Sequence, residues 1–158
     1  MSFAIDRSKI KTYVISILVP VLLGAVVGFI IAGPMDYETL QKPALSPPGV
    51  VFPVVWTILY VLMGFSFGRL KNKGLASKDI STIYYAQLIV NLLWSVIFFV
   101  LKWRFFAFIW IVGLAVLVIV MAVKFYRKDK IAGLLQIPYI VWVLFASYLN
   151  FSIYLLNR

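Results

Sequence analysis

The chain has 158 residues, is 64% hydrophobic and only 13% charged, and has a mean hydropathy of +1.03, more apolar surface than a soluble domain of this size can hide. It contains no cysteine and no histidine, which excludes disulfides and thiol chemistry and removes the commonest metal ligand and the usual general base. The net charge of +10 lies mostly between apolar segments, where anionic lipid headgroups rather than nucleic acid would meet it.

The first apolar run, Thr12 to Ala32, is 21 residues long. That exceeds the roughly 7–15 residues of a signal-peptide core, so it reads as a transmembrane helix. Pro20 should bend it, and Gly24 and Gly28 form a GxxxG pair suited to close helix packing within the monomer. A loop over 33–49 follows, rich in proline and glycine and longer than a minimal helix connection. We expect it to act as a lid, with Tyr37, Lys42, Pro43, Pro47 and Pro48 making the closing contacts. The stretch KPALSPPGVVFPVVWTILY joins that loop to the second span, about 50–68. Ser46 before Pro47 suggests a helix cap, and Pro53 a bend further in. Phe52, Trp56 and Tyr60 recur every four residues and share one helical face. Gly64 and Gly68 make a second small pair.

The third span, about 80–101, places Gln87, Asn91 and Ser95 on one face with Trp94 beside them. Polar side chains there turn away from lipid and either join helices or line a pocket. The fourth span is about 105–123. The fifth, about 131–156, sets Trp142, Ala146 and Asn150 on one face, with Phe145 alongside. The fold class expected is all-α, a single membrane-embedded bundle of five transmembrane helices over residues 1–158. Arg7, Lys9 and Lys11, the 69–78 cluster and the 124–130 cluster fall on one side. Only Lys42, Lys102, Arg104 and Arg158 fall on the other. The positive-inside rule then puts the N-terminus in the cytoplasm and the C-terminus outside.

All five acidic residues lie outside the spans, and no lysine or arginine lies near a bilayer midplane. That disfavours ion-coupled transport, which uses intramembrane charge, and leaves no metal site, carboxylate pair or nucleophile–base pair. What remains is an aromatic-rich interior with few polar handles, suited to a large flat hydrophobic ligand. The alternative is that the tryptophans only fill the core or sit at the membrane interfaces.

Together, LVPVLLGAVVG, YETLQKPALSPPGVVFPVVWTILYVLMG, QLIVNLLWS and PYIVWVLFASYLN resemble the translocator protein family, also called the tryptophan-rich sensory protein or peripheral benzodiazepine receptor family, in its bacterial form. The resemblance implies a five-helix bundle, often a homodimer, in the bacterial cytoplasmic membrane. It implies binding of porphyrins such as protoporphyrin IX, with no cofactor required, and in some members of sterols and benzodiazepine-type drugs. It assigns the pocket to Trp56, Asn91, Trp94, Trp142 and Ala146, and to Phe108 where animal members carry a tryptophan; the helical spacing adds Tyr60, Gln87, Phe145 and Asn150 on the same faces. Asp36 replaces a tryptophan of the family pattern, Val50 another, and Val112 a nearby acidic residue. Leu149, Tyr154 and Arg158 can be written as a sterol-type pattern, a weak signal. A light-dependent porphyrin-degrading activity resting on Trp56 and Trp142 is the enzymatic alternative, and a structural or partner-binding membrane protein the third reading.

Overall fold

The computed structural model describes residues 6–158. Its long helices are α1 (Arg7–Ala32), α2 (Val51–Asn72), α3 (Lys78–Ser95), α4 (Arg104–Lys128) and α6 (Ile137–Leu156), with a short α5 (Lys130–Leu134) between the last two. α3 continues into a π-helical turn, Val96–Val100, and α5 with α6 forms one membrane-length segment. Five segments are therefore long and apolar enough to cross a membrane.

Local chemistry sets the helix ends. Asp6 caps α1 by accepting from Ser8 N at 3.1 Å, and Ser77 caps α3 by accepting from Ile80 N. α2 begins at Val51, not at Ser46, and no side chain caps it. The consecutive prolines explain this, because a residue before proline is driven out of the helical region. Pro53 thereby falls in the first turn of α2, where its missing N–H is one the helix leaves unpaired anyway. The bend expected at Pro53 consequently has no lost hydrogen bond to cause it. In the last segment, Pro138 cannot donate to Leu134 and crowds its carbonyl. α5 ends at Leu134, and Pro138 sits at the start of α6.

α1 packs along α2, α3 along α4, and α4 along α6. The α1–α2 contact depends on Gly64 and Gly68 of α2. A Cβ on Gly64 would lie 2.6 Å from Ile17 Cα, and one on Gly68 would press on Tyr13 and Ser16. Gly24 backs the Tyr60 ring, whereas Gly28 has nothing within 4 Å. The expectation that Gly24 and Gly28 pack as a pair is thus corrected. Gly28 is exposed, while the neighbouring Val27 and Ile31 make the contacts with the core at this level.

The helix ends are tied by charge. At one end Asp129 receives Arg69 Nε at 2.9 Å and also Lys73 Nζ, while it caps α5 through Ala132 N. Lys124 pairs with Asp79 there at 2.6 Å. At the other end the first loop, the α3–α4 turn and the end of α6 meet. Asn157 exchanges two hydrogen bonds with the backbone of Gln41, and Arg104 holds Asp36.

Candidate functional site

Trp56 occupies the centre of an aromatic cluster drawn from three helices. Its ring lies 5.9 Å from Tyr60, 6.2 Å from Tyr139, 6.4 Å from Trp94 and 6.5 Å from Trp142, centroid to centroid. Phe52 extends the cluster upward, edge-on to both Trp142 at 5.8 Å and Tyr37 at 5.0 Å. Such pairs add about 0.5–1.5 kcal/mol each beyond their buried area.

A polar chain runs beneath the rings. Tyr60 Oη donates to Asn91 Oδ1 at 2.9 Å, Asn91 Nδ2 to Tyr139 Oη at 2.6 Å, and Tyr139 Oη to Gln87 Oε1 at 2.7 Å. Beside it Trp94 Nε1 donates to Asn150 Oδ1 at 3.0 Å, and Asn150 Nδ2 donates to the Arg104 carbonyl at 2.8 Å. Gln87, Asn91 and Asn150 are all buried. In a bundle surrounded by lipid, each group left without a partner would lose its desolvation energy, about 1–3 kcal/mol, so the network fixes the faces of α3 and α6. Among the rings, one indole donor is unpaired. Trp142 Nε1 is buried and has no acceptor among the described residues.

Above the rings sits a small, nearly closed apolar pocket of about 10 Å³, bounded by Tyr37, Phe52, Trp94, Phe98, Ala146 and Asn150 among others. Its lid is the first loop. Tyr37, 3% exposed, inserts its ring and donates to the Pro47 carbonyl at 2.8 Å. Burial, first of all, raises its hydroxyl above the ordinary value, so Tyr37 remains a neutral donor. Lys42 Nζ donates to the Tyr37 carbonyl at 2.8 Å and sits 4.7 Å over the Tyr37 ring. The Pro43 carbonyl accepts from Ser46 N, and the Pro48 carbonyl from Val51 N. Asp36 anchors the loop to Arg104 Nη2 at 2.9 and 2.7 Å, with Lys102 at 3.5 Å. Burial would raise the Asp36 carboxyl, but Arg104 and Lys102 outweigh it and hold the group below 3.8.

Of the residues expected from sequence, Trp56, Tyr60, Gln87, Asn91, Trp94, Trp142, Ala146 and Asn150 converge on this region. Phe145 stands at its margin, 5.6 Å from Trp142, where both line an open apolar cleft of about 430 Å³ between α2 and α6. Phe108 does not join them. It packs on Phe151 of α6 at 4.8 Å, partly buried against the core. The α4 face toward the core is Ala107, Ile111 and Leu114 instead. Sequence reading passed over Tyr139, Phe98 and Phe99. Tyr139 was accessible, since it precedes Trp142 by three and Ala146 by seven on the same face. Phe98 and Phe99 were not, because the π-turn makes two consecutive residues face inward, 4.8 Å apart.

Against known proteins, the family model described as the TspO/MBR family matches residues 16–156. The chain belongs to that family. Similar members of the TspO/MBR family include the tryptophan-rich protein TspO of Chlorobaculum tepidum, 39% identical over 77% of this chain and 78% of that one. The TspO protein of Archaeoglobus fulgidus is 37% identical over 94% of this chain and 99% of its own. Protein CrtK of Rhodobacter capsulatus is 38% identical over 77% and 78%. With its five crossing-length segments, this TspO/MBR member is a multi-pass integral membrane protein.

Proposed function

We propose that the protein binds porphyrins, or planar hydrophobic molecules of similar shape, and acts in tetrapyrrole sensing, transport or turnover. The observation that carries this reading is the array of rings around Trp56, in which Trp94, Tyr139 and Trp142 present faces and edges within 6.5 Å. A flat conjugated macrocycle exchanges those ring–ring contacts for its own. The unpaired Trp142 N–H supplies a donor that a ligand nitrogen or carboxylate satisfies. The described interior residues named here carry no charge, which suits a mostly apolar ligand.

The resting pocket is nearly closed, about 10 Å³, far below the ~300–1,000 Å³ of small-molecule sites. A tetrapyrrole therefore enters only after the rings separate. The cleft between α2 and α6, bordered by Val55, Ile58, Val141 and Trp142, offers a path from the lipid to Trp142. The first loop is held from the aqueous side. We place this loop outside a bacterial cytoplasmic membrane, with the N-terminus in the cytoplasm, because the basic clusters around 69–78 and 124–130 lie at the opposite end.

Titrating the purified protein with protoporphyrin IX tests the reading. Saturable quenching of tryptophan fluorescence with a shifted Soret band is expected. Absorbance and emission indistinguishable from porphyrin in empty micelles would reject it.

A further inference from the structure

The end of the bundle that carries the first loop has a second concavity, sharing no residue with the aromatic pocket. It is an open surface groove of about 550 Å³, with Lys102, Arg104 and Arg158 in its wall beside Trp103, Phe105 and Tyr154. Three cations meet there, and the carboxylate that pairs with them is Asp36, which binds Arg104 and Lys102. Among the described residues Arg158 has no ion-pair partner. The Arg104 guanidinium spends only Nη2 on Asp36, while its Nη1 is buried without an acceptor. Lys102 is held in a left-handed backbone conformation, φ 57°, fixed between Trp103 N bonded to Ile97 O and Arg104 N bonded to Lys102 O. Trp103 is 58% and Phe105 50% exposed, as expected of side chains in the headgroup zone.

A groove with excess positive charge at one edge and lipid-facing aromatics at the other fits an anionic amphiphile. Guanidinium and ammonium groups recognise phosphate strongly where water is scarce. We propose that this groove is a site for an anionic phospholipid, its phosphodiester held by Lys102, Arg104 and Arg158 and its first acyl carbons lying against Phe105 and Tyr154. The occupant is the lipid rather than free phosphate, because half of the groove wall is apolar and would gain nothing from an inorganic ion.

The test is native mass spectrometry of the whole protein equilibrated with equal amounts of phosphatidylglycerol and phosphatidylcholine. The wild type should retain phosphatidylglycerol preferentially. The double variant Lys102→Gln/Arg158→Gln, which leaves the Arg104–Asp36 pair intact, should lose that preference by about fivefold for each cation removed. The variant Arg127→Gln/Lys128→Gln, at the opposite end, should keep it, and inorganic phosphate at the lipid concentration should not displace the lipid. Equal retention of the two lipids by the wild type overturns the proposal. So does unchanged preference in the first variant, an equal loss in the second, or displacement by inorganic phosphate. Thermal midpoints of both variants within a few degrees of the wild type establish that the comparison is between folded proteins.

Discussion

Arg104 holds both oxygens of Asp36 with its side chain, while its backbone carbonyl accepts from Asn150, whose Oδ1 in turn accepts from Trp94. One residue thus connects the lid to the indole that walls the pocket. Asp36→Asn should free the loop without unfolding the bundle, since the helix interfaces do not involve Asp36. Amide exchange over residues 37–47 should accelerate severalfold while α3 and α4 remain protected. Unchanged exchange in the loop would mean that Tyr37 and Asn157 hold it without the ion pair.

The same ion pair sets a pH dependence. Arg104 and Lys102 hold the Asp36 carboxyl below the ordinary carboxylate range against the effect of burial, so the folded state binds the proton less readily than the unfolded chain. The contribution is complete above the unfolded value and is lost as pH falls through the folded one. Asp129 is shifted the same way, primarily by its hydrogen bond from Arg69 and against the effect of burial. Stability in detergent should be flat with respect to these two groups between pH 5 and 8, then decline below about pH 4. A decline centred near pH 6 would show that other groups control it, and the chain has no histidine to provide one.

Asn91 both accepts from Tyr60 and donates to Tyr139. Asn91→Leu keeps the branched shape but leaves the buried Tyr60 hydroxyl without its acceptor and Tyr139 with Gln87 alone. It should destabilise the protein by about 1–3 kcal/mol, read as a lower thermal midpoint. Stability equal to the wild type would mean that the tyrosines re-pair with Gln87 at no cost.

The two GxxxG pairs should respond differently to bulk. Gly64→Leu drives a side chain into Ser16 and Ile17 of α1, so overpacking of about 1–3 kcal/mol or more is expected. Gly28→Leu meets open space and should leave the monomer's thermal midpoint unchanged. If Gly28→Leu is as damaging as Gly64→Leu, the outer face of α1 is covered by something else, such as a second copy.

The sequence made the bundle legible because twenty-residue apolar runs in lipid have few alternatives to helix. It also exposed the pocket faces, since Phe52, Trp56 and Tyr60 on α2, and Trp142, Ala146 and Asn150 on α6, follow a regular helical spacing. The start of α2 was misread because a proline after serine imitates a helix cap, whereas a second proline keeps the residue before it out of the helical region, and α2 starts only after the turn at Gly49 and Val50. Family correspondence gives Phe108 a position along α4 but not the rotation of that helix, which turns Ala107 and Ile111 fully inward. The π-turn that brings Phe98 and Phe99 together has no side-chain pattern of its own. The charge network around Arg104 joins residues 68 positions apart, a separation that no local spacing reveals.

The most direct measurement of the central claim is the affinity of protoporphyrin IX for the wild type, Trp56→Ala, Trp142→Ala and Phe108→Ala in the same detergent. Trp56 and Trp142 belong to the ring array and Phe108 does not. The two tryptophan variants should each bind at least about two- to tenfold more weakly, from the loss of stacked aromatic contact alone, with Phe108→Ala unaffected. Wild-type affinity in both tryptophan variants would contradict the account and remove the ligand from this pocket.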